Sequence, residues 1–144
     1  MQFKRLNRDQ PEQIFMTVQN NEGAALNVDD CVCWETAAAS VDGVKVRQMD
    51  TGLLAARVGL MAETLADQAY GLVQIWGYRP TCRIYQTNAS LATGSILVGI
   101  AGSAAIGAGV VSTDGVNLVA ILGESFASSS DSGTVSRKIF LRAM

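Results

Sequence analysis

At 144 residues the chain has the length of one ordinary domain, and an apolar fraction of 49% lets it bury a core. With 17% charged residues and a formal charge of -2, it has neither the basic balance of a nucleic-acid binder nor the self-repulsion of a disordered chain. A composition with no histidine removes the Ser-His-Asp and Cys-His constellations and the commonest metal ligand.

Residues 1–12 read as an arm in which Phe3 and Leu6 are apolar anchors among Lys4, Arg5, Arg8 and Asp9, ahead of one β domain over 13–144. No apolar run follows the arm's cations, so no secretory signal is expected and the product is expected to begin in a cytoplasm. There, Cys31, Cys33 and Cys82 are read as small buried hydrophobes rather than a disulfide framework. Gln13 to Gln19 is β-rich and runs into a turn at Asn20-Asn-Glu-Gly23. Cys31 to Glu35 follows Asp29-Asp30 as a second strand, with Cys31 and Cys33 on one face and Val32 and Trp34 on the other. After the Asp42-Gly43 turn, Val44 and Val46 alternate with Lys45 and Arg47, as in a half-buried strand.

Thr51 to Asp67 is open to two readings. Leu54, Val58, Met61 and Leu65 fall at helical spacing behind Thr51, which could cap a helix. Against this, Val58 to Ala66 aligns without a gap on Val119 to Ala127, and each copy is followed by a glycine and a β-rich run. A hairpin used twice fits both copies: a strand ending near Val58 to Ala62, an exposed loop, a glycine and a return strand. Pro80 is expected to divide Leu72 to Tyr78 from Thr81 to Tyr85, and the alternating run from Val135 to Arg142 closes the chain as a strand covered on part of its second face by way of Phe140.

From Ile84 to Thr113 there is no charged residue, but the glycines repeatedly interrupt any helix, so buried β structure or an oligomer axis is expected there rather than a membrane span. Glu63 and Glu124 occupy matching repeat positions and form the one systematic carboxylate pair, as a glycosidase would need; a pair of solvated loop residues is the plainer reading. Cys31-x-Cys33 with Cys82 and Asp30 has the wrong spacing for a zinc knuckle, and the glycines lack the Lys-Ser/Thr of a phosphate loop. Neither catalysis nor a cofactor is therefore expected.

Taken in order, Phe3-Lys-Arg-Leu6, Asp9-Gln-Pro-Glu12, Asn20-Asn-Glu-Gly23, Asp30-Cys-Val-Cys-Trp34, Asp42-Gly-Val-Lys-Val46, Ala62-Glu-Thr64, Tyr70 to Tyr78 and the terminal Gly-x-Val-x-Arg-Lys-Ile strand resemble the cement or decoration proteins of tailed-phage heads. The resemblance spans Phe3 to Leu141 and implies an all-β fold, a small β-barrel, β-tulip-like or β-sandwich domain with an extended N-terminal arm. It implies a homotrimer on the outer face of the shell, bound to the major capsid protein, with no nucleic acid or membrane partner; a head-tail or tail structural component of a phage, or a carbohydrate-binding or carbohydrate-active module, is the alternative reading. On that reading Phe3, Lys4, Arg5, Leu6 and Arg8 meet the capsid, and Ile96, Val98, Ile100, Ile106 and Val110 pack subunits together.

Overall fold

The computed structural model describes residues 12–37, 42–49, 57–86, 96–99, 106–108, 123–125 and 133–143. Their regular structure is all strand: β1 (Gln13–Asn20), β2 (Cys31–Trp34), β3 (Lys45–Gln48), β4 (Arg57–Met61), β5 (Tyr70–Gln86), β6 (Ile96–Gly99), β7 (Ile106–Ala108), β8 (Gly123–Ser125) and β9 (Gly133–Arg142). The all-β expectation is met. Among the described residues no helix is long and apolar enough to cross a membrane.

The strands pair in the order β1-β3-β2-β4-β5-β7-β6-β8-β9, and two further pairings, β1 with β5 and β5 with β9, close this sheet on itself twice. Each closure makes a ring of five strands, and the 17-residue β5 is a wall of both. The sheet thus becomes a small barrel-like body rather than an open layer with free edges.

The second ring repeats the first, pairing by pairing. β1 is parallel to β3 and β5 is parallel to β7, while every other contact in either ring is antiparallel. The registers correspond as well. Asn20 opposite Val46 has its counterpart in Ile84 opposite Ile106, and Cys33 opposite Arg47 in Val98 opposite Gly107. Val32 opposite Gly59 matches Leu97 opposite Gly123, and Leu60 opposite Gln74 matches Glu124 opposite Phe140. Val18 opposite Gly71 matches Cys82 opposite Arg137. The body is therefore one five-stranded unit used twice, with β5 as the last strand of the first unit and the first strand of the second.

The two cores obey the same correspondence. Val18, Val32, Val46, Val73 and Ile75 fill one cluster, and their register equivalents Cys82, Leu97, Ile106, Ile139 and Leu141 fill the other. Period-two alternation explains how β2 serves both: Val32 faces its own ring, whereas Cys31 and Cys33 turn outward and join the second core with Leu60 and Met49. Burial of an aliphatic side chain such as Leu60 contributes about 1.5–3 kcal/mol, so this shared face of β2 and β4 helps to hold the two rings together.

Of the two readings of Thr51 to Asp67, the hairpin is the one found over the described part. β4 is antiparallel to β5, and residues 62–69 form the connecting loop; residues 51–56 lie outside the described residues. Pro80 does not divide its segment. β5 continues through it, with one extra residue inserted between Arg79 and Cys82 relative to β9. A bulge is a place where a residue without an N–H fits a paired strand, and the insertion exchanges the inward set from Val73 and Ile75 to Cys82 and Ile84.

Two glycines allow backbones to touch. At Gly59 a Cβ would collide with the carbonyl of Gln74 and approach Val73 Cγ1 to 2.9 Å. Gly77 has a φ of +105° within β5, and a side chain there would strike the carbonyl of Glu12.

Candidate interaction surface

Three kinds of residue set the surface: loops that plug the first ring, ion pairs that tie a turn to β5, and apolar side chains left outside. Leu26 and Leu65 are bridged through both backbone amides, Leu26 N to Leu65 O at 2.9 Å and Leu65 N to Leu26 O at 2.8 Å, and both side chains enter the first core. A tight turn follows each: Asp30 N donates to Asn27 O, and Ala69 N donates to Ala66 O. Both turns contain a left-handed non-glycine residue, Asp29 with φ 71° and Gln68 with φ 60°. The expected turn at Asn20 to Gly23 depends on a buried side chain. Asn20 Nδ2 donates to Ala24 O and Leu65 O, and its Oδ1 accepts from Glu22 N.

Asp29 and Asp30 serve the fold. Arg79 reaches Asp29 at 2.6 Å, donates to Met61 O at 2.8 Å and bonds Gln74 Oε1 at 3.2 Å, all behind an exposure of 7%. Arg83 pairs with Asp30 Oδ1, and Asp30 Oδ2 accepts from Asn27 N at 2.7 Å. Both aspartates therefore tie the 27–30 turn to the stretch of β5 around the bulge, and the Asp30 carboxylate is occupied by arginine and backbone.

Cys31, Cys33 and Cys82 are fully buried free thiols, as expected of small hydrophobes. Burial pushes the Cys31 thiol far up and the Cys82 thiol up to about 12, so both stay protonated and unreactive near neutrality.

The carboxylate pair from the sequence repeat separates. Strand register makes Leu60, not Glu63, the counterpart of Glu124. Glu63 lies in the loop after β4 and accepts from Leu72 N at 2.9 Å, whereas Glu124 is a strand position of β8 opposite Phe140. Trp76 meets Phe140 edge to face, with ring centroids 5.0 Å apart, and Phe140 is thereby half-buried while Thr134, Ser136, Lys138 and Arg142 on the same face of β9 stay exposed.

The arm residues Phe3, Lys4, Arg5, Leu6 and Arg8 lie outside the described residues, as do Ile100 and Val110. Ile96 and Val98 are strand positions of β6. Ile106 is corrected: its side chain is fully buried in its own chain's second core, leaving nothing to offer a neighbour. The period-two pattern of β7 directs it inward, which an uncharged run could not reveal.

Sequence reasoning missed the outer face of the β1–β5 pair. Val18, Val73 and Ile75 face the first core, so Phe15, Thr17, Gln19, Tyr70 and Leu72 project the other way. Phe15 and Leu72 are each 41% exposed and Tyr70 is 64% exposed, with Ile14 at 42% beside them. Thr17 stands opposite Leu72 and Phe15 opposite Gln74, so Phe15 and Leu72 are diagonal neighbours. The signal was available in Gln13-Ile-Phe-Met-Thr-Val-Gln19, where apolar residues occupy both faces.

No protein-family model matches the chain, and no curated protein matches it. Among solved structures it is similar to the base of the head fiber protein gp8.5 of bacteriophage phi29, with a TM-score of 0.50 at 5% identity, over 92% of this chain and 96% of that one. At that identity the likeness is one of fold, and it extends over nearly the whole of both chains.

Proposed function

We propose that this chain is a structural protein of a tailed-phage head, and more narrowly a cement or decoration protein that sits on the outer capsid surface as a homotrimer and binds the major capsid protein. The observation that carries the reading is fold likeness to a phage head fiber base over nearly the full length of both chains. The chain's layout supports it independently, through its resemblance to head decoration proteins. The buried chemistry agrees: the cysteines are desolvated, and the aspartates nearest them are engaged in holding a turn.

The role is mechanical rather than enzymatic. A protein that binds only the expanded shell stabilises that state by linkage, and repeated sites turn modest contacts into a firm lattice. A second reading, the mounting base of a projection from the head, is favoured by the nature of the solved neighbour. Cryo-electron microscopy of purified particles separates the two: a cement protein lies between capsid subunits with nothing mounted on it, whereas a base carries further density projecting from the head. Absence from the particle would refute both.

A further inference from the structure

We infer that the outer face of the β1–β5 pair, carried by Phe15, Tyr70 and Leu72, is the surface through which copies of this chain associate. The duplicated unit supplies an internal control. In register, Tyr70 corresponds to Ser136 and Leu72 to Lys138, and both of these are exposed in the second unit. The same fold therefore carries a hydroxyl and an ammonium at these places, so architecture does not require an aromatic and a leucine in water there. Exposed Phe, Tyr and Leu side chains grouped on one sheet face are the composition of an interface centre.

Charge selects the occupant. The strands forming the face, Gln13–Gln19 and Tyr70–Gly77, contain no charged residue, whereas the outward face of β9 presents exposed Lys138 and Arg142; Arg79 and Arg83 are already paired with Asp29 and Asp30. Around a symmetry axis of any order, residues near the axis meet their own copies, so a face of one sign repels itself and a neutral one does not. The β1–β5 face is suited to a second copy, and the β5–β9 face is not. The inference stands whether or not the chain belongs to a phage head.

Sedimentation velocity of the full chain tests it, alongside the double variant Tyr70→Ser/Leu72→Lys, which installs the second unit's own residues. The expected result is a wild-type mass that is a multiple of the single chain, and a variant at the single-chain mass with an unchanged far-ultraviolet strand spectrum. A single-chain mass for the wild type overturns the inference, as it would if the arm or a foreign partner covered this face; so does a folded variant that keeps the wild-type mass. Should the double variant lose its strand spectrum, Leu72→Gln alone is judged by the same two masses.

Discussion

Replacing Arg79 by leucine tests whether the turn at 27–30 is clamped to β5 by charge. The guanidinium contacts Asp29 at 2.6 Å, Met61 O at 2.8 Å and Gln74 Oε1 at 3.2 Å. Leucine keeps part of the buried volume but leaves a carboxylate, a carbonyl and an amide oxygen without this donor. Breaking a buried pair on one side costs about 3–5 kcal/mol, a large share of the roughly 5–15 kcal/mol by which a domain is stable. Asp29→Asn is the milder change, because asparagine accepts the left-handed backbone at φ 71° and the guanidinium keeps its other two partners. It should cost about 1–3 kcal/mol. The double variant should fall short of the sum by about 1–3 kcal/mol, since each substitution removes the same contact. Urea unfolding followed by tryptophan fluorescence supplies all four stabilities, with the m-value unchanged. Arg79→Leu within about 1 kcal/mol of wild type, or a cycle additive to about 0.5 kcal/mol, would refute the clamp.

Gly59→Ala must push β4 away from β5, because its Cβ has no room beside the Gln74 carbonyl. A loss of about 2–4 kcal/mol in urea is expected from overpacking and stretched ladder bonds, and a loss below about 0.5 kcal/mol would show that the strands separate freely. The Glu35 carboxyl is held below its ordinary value of 4.5, first by the Ala37 N–H and also by Asn21 and Arg47. The fold thus favours its anion, a contribution complete above the unfolded value and lost as pH falls through the depressed folded one. Glu35→Gln should therefore flatten the acid limb of a stability–pH curve below about 4.5, and an unaltered limb would contradict the assignment. All three thiols should resist a thiol-specific reagent at pH 8 in the native protein and react together in urea; rapid labelling of any of them without unfolding would contradict their burial. Glu63→Gln keeps an acceptor for Leu72 N–H and should shift stability by no more than about 0.5 kcal/mol in the same urea assay.

Local pattern in the chain carries far in this protein. Alternation at Cys31 to Trp34 places two residues in each core, and Val46 is buried between Lys45 and Arg47 as a half-buried strand requires. Long-range organisation was much less legible. The duplication is a repetition of pairing, and its interior residues share only apolar character: Val18 with Cys82, Val46 with Ile106, Val73 with Ile139. The stretch with the best letter-by-letter match, Val58 to Ala66 against Val119 to Ala127, is out of step with the strand register, which aligns Gly59 with Gly123. Resemblance along the chain pointed at the right hairpins and at the wrong glutamate. Pro80 misled for a related reason, since a bulge that accommodates proline is visible only when the partner strand is known. The ion pairs of Asp29 and Asp30 join residues about fifty positions apart in sequence, beyond the reach of any local periodicity.

The first and last strands end beside each other, Gln13 opposite Gly77 on one edge of β5 and Arg142 opposite Trp76 on the other. Two strand spacings, about 10 Å, separate those ends. Tension applied between them crosses β5 at Trp76 and Gly77, with the stretch paired to β1 on one side of that line and most of the stretch paired to β9 on the other, so a pull falls on the seam between the two rings.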